Sequence, residues 1–163
     1  MPVLADIRRS WSDPRGLIRD KAASPREDRA LATLMGSCAL IFVAQWPDMA
    51  RQAAAHPDVP LDARVGGSLM AVIFMLPLFL YFMAWIVSLV GRALGGRASG
   101  FAVRMALFQA LLAASPLFLL NGLVRGMTGP GPGQLLVGGL ALAGFLYLFI
   151  SMLITVEREG ADV

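Results

Sequence analysis

The chain has 163 residues, of which 57% are hydrophobic and 15% charged, and its net charge is +3. Charged residues are about 25% of a typical soluble domain, and here they are absent from residues 31–46, 65–91, 105–124 and 134–156. That distribution excludes an ordinary soluble domain and points to bilayer-spanning helices, each of which needs about 20 apolar residues.

Residues 1–29 form a cytoplasmic or interfacial segment. Ser12 and Asp13 precede Pro14, and proline suits a first helical turn because its missing N–H would be unpaired there. Two short amphipathic helices are expected. Ile7, Trp11, Leu17 and Ile18 lie among Arg8, Arg9, Arg15, Arg19 and Lys21, with Trp11 expected at headgroup level. A solvated tail is the other reading, because Asp6, Asp13 and Asp20 dilute the basic charge. No apolar run precedes residue 30, so a removable signal peptide is not expected.

The membrane domain is expected to span residues 30–156. Ser24, Pro25 and Glu27 carry a capping-box pattern that predicts a helix start near Pro25. The first span then covers about 30–46. Trp46 falls in the interfacial belt, and the helix can continue past Pro47 until Pro57 and Pro60 break the chain. The second span covers about 65–90 and the third about 101–124, with helix kinks expected at Pro77 and Pro116. A Gly/Pro loop leads to the fourth span, about 134–156, and residues 157–163 form a short tail. The fold class is all-α: a polytopic four-span transmembrane bundle.

Four crossings place eleven Lys and Arg residues on one side and three on the other, so both termini are expected in the cytoplasm. If the first span did not cross, the basic N-terminal tail would share a side with Arg51 and Arg64. The basic residues flank spans, so the high pI of about 9.8 points to membrane orientation and not to nucleic acid.

The residues offer little for catalysis. The single histidine, His56, lies in a Pro-rich loop, and all eleven acidic residues lie outside the apolar runs. No Cys/His spacing suits a metal, and no nucleophile-elbow pattern is present. No enzyme activity and no cofactor are expected. Cys38 reads as a small packing residue. Gln109, Ser115, Asn121, Ser88 and Ser151 are the polar residues of the spans, and interhelical hydrogen bonding is expected to use them.

Small residues stand out more clearly. Ala102, Ala106, Ala110 and Ala114 form a ridge on the third span, and Gly139 and Ala143 repeat the spacing on the fourth. Such faces let helices pack closely in lipid, either within the chain or against a partner. Between spans two and three, "LVGRALGGRASGFAVR" lacks the lysine of a phosphate loop and lies at the membrane edge. It reads as a tight cytoplasmic turn at Gly95 and Gly96, with Arg92, Arg97 and Arg104 at lipid headgroups.

Gly95, Gly96, Ser99, Phe101, Arg104 and Pro116 follow a pattern that resembles the Yip family, small polytopic proteins named for Ypt/Rab interaction, with bacterial relatives. The N-terminal "DPRGLIRD" resembles bacterial members too. The family usually has five spans where four are read here. Its Rab-binding branch has a longer N-terminal region and an acidic-Leu-Tyr-Gly-Pro motif, both missing from this chain, so Rab binding is not carried over. For bacterial relatives the resemblance implies a membrane-embedded, non-catalytic role. The expected function is therefore a non-enzymatic protein of the bacterial inner membrane: an accessory subunit, assembly factor or membrane organiser. Its expected partners are membrane lipids and other integral membrane proteins or further copies of itself. A channel or carrier for a neutral or amphiphilic solute is the alternative.

Overall fold

The computed structural model describes residues 2–159, and the regular elements among them are all helical. A hairpin of α1 (Pro2–Ser12) and α2 (Pro14–Ala22) precedes α3 (Glu27–Ala55). Next come α4 (Leu61–Met70), a π-helical turn (Ala71–Met75) and α5 (Leu76–Ala93), which together make the second span. The last elements are α6 (Gly100–Thr128) and α7 (Pro132–Glu159). Four helices are long and apolar enough to cross a bilayer, starting at Glu27, Leu61, Gly100 and Pro132, which makes this a multi-pass membrane protein. Of the predicted tail, residues 160–163 lie outside the described residues.

The helix limits follow local chemistry. Asp13 caps α2 by accepting from the Gly16 N–H at 2.9 Å, with Pro14 in the first turn. The capping box predicted at Ser24 does not form. Helix α3 starts at Glu27 with no side-chain cap, and the Glu27 carboxylate accepts from Arg104 Nη2 instead. The carboxylate there meets a full positive charge, whereas a capping box would offer it only a backbone N–H. Helix α3 continues through Pro47 to Ala55. Just ahead of Pro77 the second span holds the π-turn, in which the Leu76 N–H reaches back to the Ala71 carbonyl. The wider turn ahead of the proline accommodates the ring and the missing donor.

The glycine stretch is a helix C-cap. Gly95 adopts φ +85°, its N–H bonds to the Arg92 carbonyl at 3.0 Å, and the Gly96 N–H bonds to Gly91 at 2.8 Å. This is the Schellman pattern, which favours glycine at the left-handed position. Ser99 then caps α6 by accepting from the Ala102 N–H at 3.1 Å. The Glu157 carboxylate of α7 lies against Gly91 and Gly96 and accepts from the Ala98 N–H. The turn therefore ties the second, third and fourth spans together.

Helix α6 is the axis of the bundle. From Phe101 to Ser115 every residue except Arg104 is buried, enclosed by α3, α5, α7 and the hairpin, whereas Pro116 to Thr128 is largely open. The Ala102–Ala114 ridge is wholly inside the chain, at 0–6% exposure. Gly139 and Ala143 face outward on α7.

Helices α3 and α6 run parallel, joined at both ends by ion pairs: Glu27–Arg104 at the hairpin end, Asp48–Arg125 (2.9 Å) at the far end. On each helix the two paired residues are about 21 positions apart, or about 31 Å at 1.5 Å per residue. That length matches the hydrocarbon core of a bilayer. Single-cysteine variants test the path. Arg97→Cys and Asp58→Cys should label from opposite sides of the membrane, while native Cys38, fully buried, stays unreactive. Arg97→Cys should be the one reached from the cytoplasm, and labelling of both from one side would overturn the four-span path.

Candidate functional sites

Two polar networks occupy the two ends of the bundle. At the hairpin end, Lys21 is only 7% exposed. Its Nζ donates to Asp6 Oδ2 at 2.5 Å and to Gln109 Oε1 at 2.8 Å. Gln109 Nε2 donates to Ser10 Oγ at 2.9 Å, and Ser10 Oγ donates to the Asp6 carbonyl at 2.7 Å. The four residues close a ring of hydrogen bonds in which a buried cation has a carboxylate partner. Gln109 lies five residues inside Arg104, about 7 Å along the helix. Buried charges of this kind are costly and as a rule paired.

Trp11 extends the docking further. Its Nε1 donates to the Ala113 carbonyl at 2.9 Å, and its ring packs by Gly144 of α7. Val3, at the other end of α1, lines a cavity together with Gly36 of α3 and Leu112 of α6. Helix α1 therefore crosses α6 near Leu112 and Ala113, and Trp11 fastens the hairpin to the third and fourth spans. Pro116, inside the continuous helix α6, changes the bonding at this level. Proline lacks the N–H that would serve the Leu112 carbonyl, and Ser115 Oγ fills that place at 2.7 Å. The neighbouring Ala113 carbonyl receives the indole.

At the far end, Asp48 is 14% exposed and pairs with Arg125 while accepting from Gln52 Nε2 at 2.6 Å. Gln52 Oε1 accepts from Arg64 Nη1 at 3.0 Å, and Ser68 Oγ donates to Gln45 Oε1 at 2.8 Å. These groups line a cavity of about 470 Å³ at the mouth, between α3, α4 and α6. A second cavity of about 250 Å³ lies beneath, between α3, α5 and α6, with apolar walls from Ile41, Leu76 and Phe118.

The other expected polar residues divide. Ser88 and Ser115 bond within their own helices, to Ala84 and Leu112, so they do not join helices. Gln109 does cross between elements. Asn121 Oδ1 is buried without a hydrogen-bond partner and packs by Gly138. Arg104 is paired with Glu27, and Arg92 lies near Gly100 in the same turn. Asp6, Ser10, Lys21, Asp48 and Arg64 were not singled out from the sequence. The equal spacing of the opposite charges at 27/48 and 104/125 was the signal that could have found Asp48.

Compared with known proteins, the chain matches no family model, no curated protein and no solved structure.

Proposed function

We propose that this is a non-catalytic membrane protein that associates with other membrane proteins through the outer face of α7. One observation carries the reading: the small-residue pair Gly139 and Ala143 faces outward, while the alanine ridge of α6 is used up inside the chain. Close approach at small residues drives helix association in lipid, where no hydrophobic force acts between spans. The face is flanked by Leu135, Leu136, Leu140 and Leu142, all strongly exposed. The resemblance to the Yip family fits an accessory or organising role in a bacterial inner membrane, with both termini cytoplasmic.

Purification in mild detergent should recover the protein in one stable complex, with a partner or with further copies. Gly139→Leu together with Ala143→Leu should dissolve that complex and leave the unfolding temperature within a few degrees. A complex that survives both substitutions would sink the proposal.

A carrier for a neutral or amphiphilic solute is the second reading. It is favoured by the two adjoining cavities of the far half, one polar and one apolar. In this reading Gln109 belongs to a closed gate, and solute-specific flux into liposomes lost on Gln109→Ala would favour it over the accessory role.

A further inference from the structure

The far-end cavities form one site with two kinds of wall. The mouth and the chamber share Gln45, Asp48 and Arg125. The mouth is lined by two cations, Arg64 and Arg125, and one acid, Asp48. The ion pair engages Arg125 through Nε at 2.9 Å. Arg64 is held by neutral oxygens only, those of Gln52, Val59 and His56. Among the lining residues the cations outnumber the acid by one. Guanidinium groups are suited to phosphate because their planar forks meet its oxygens. Beneath the mouth, the chamber is lined by Ile41, Ala44, Leu76 and Phe118. The π-turn ends directly at Leu76, and π-turns recur at functional sites.

The level in the membrane decides between ligands. Asp48 and Arg125 mark the end of the ~30 Å apolar slab, where phospholipid headgroups lie. A small anion would use the mouth and leave the chamber idle. We propose that this site binds one anionic glycerophospholipid from the leaflet opposite the hairpin, with its phosphodiester at Arg64 and Arg125 and an acyl chain in the chamber. Basic pockets between spans take up phospholipid headgroups in this way. No residue of α7 lines either cavity, so the site is independent of association through that helix.

Native mass spectrometry of the detergent-solubilised protein tests this, with phosphatidylglycerol and phosphatidylcholine of identical chains as the probes. One phosphatidylglycerol should be retained in preference to phosphatidylcholine. Gly67 lies at the mouth with open space around it, so Gly67→Asp adds a negative charge without a clash. It should cut phosphatidylglycerol retention about fivefold, while Gly67→Asn, of the same shape, should not. Ile41→Trp, which fills the chamber, should reduce retention of the lipid with helicity unchanged. Equal retention of the two lipids, or equal retention by the Asp and Asn variants, would overturn the proposal. So would displacement of phosphatidylglycerol by soluble glycerol 3-phosphate at comparable concentration, since the chamber would then add nothing.

Discussion

Lys21→Met is expected to destabilise the detergent-solubilised protein by about 3 kcal/mol, because removing one partner of a buried ion pair leaves the other uncompensated. Asp6 would lose its cation, and Gln109 Oε1 would lose the donor it meets at 2.8 Å. The estimate stands at the lower end of the usual range because the Asp6 side chain is 30% exposed and can turn partly to water. The loss should fall first on the hairpin. Ile18, fully buried in the wild-type chain, is the reporter: Ile18→Cys should react slowly with a thiol reagent, and much faster when combined with Lys21→Met. Asp6→Leu with Lys21→Met should recover most of the stability, since an apolar pair of similar size is often as good as a buried ion pair. If the double variant is as unstable as Lys21→Met alone, the pair is not what holds the hairpin. If Lys21→Met leaves both unfolding and Ile18→Cys labelling unchanged, the ring of bonds contributes nothing to docking.

That ring also shows where sequence reasoning stops. The four spans were legible because charge-free runs of bilayer length have few other uses. The turn at Gly95 and Gly96 was legible because it depends on its immediate neighbours, whereas its Schellman form and the Ser99 cap came only with the fold. The hairpin was half legible: its two helices and the Asp13–Pro14 break are local, but its place is not. Asp6 and Lys21 sit among Arg8, Arg9, Arg15 and Asp20, and such a mixture reads as a solvated or interfacial surface. Only the fold brings Gln109, 88 residues away, to complete the bonding that makes burial tolerable. The far-end network was hidden for a similar reason. Asp48 and Arg125 each look like the polar end of an apolar run, and their pairing depends on α3 and α6 being parallel neighbours. The Ser24–Glu27 pattern misled because a capping box is a weak local preference, and Arg104 offers Glu27 a stronger partner from 77 residues away. In each case a local rule was overridden by a charge or an acceptor that arrives through tertiary packing.

The second large effect is expected at Gly122. Helices α3 and α6 make the most extensive contact of the bundle, and at its far half they meet almost backbone to backbone. A Cβ at Gly122 would lie 2.7 Å from the Ala44 carbonyl carbon and overlap its oxygen; one at Gly126 would overlap Pro47. Backbone cannot rotate away as a side chain can, so the helices would have to part. Parting would strain the Asp48–Arg125 pair one turn further on, together with the cavity beside it. Gly122→Leu is therefore expected to cost about 3 kcal/mol or more, beyond the ordinary range for overpacking, and Gly122→Ala to cost part of it. The comparison is Gly139→Ala on the exposed face of α7, where nothing lies within 4 Å of the added methyl. There the gain in helix propensity, about 0.5–1 kcal/mol, should be neutral or slightly stabilising. Thermal unfolding followed by circular dichroism in one detergent measures all three. Similar midpoints for Gly122→Leu and Gly139→Ala would mean that the parallel α3–α6 contact does not carry the fold, and the reading of both ion pairs as markers of the two membrane faces would fall with it.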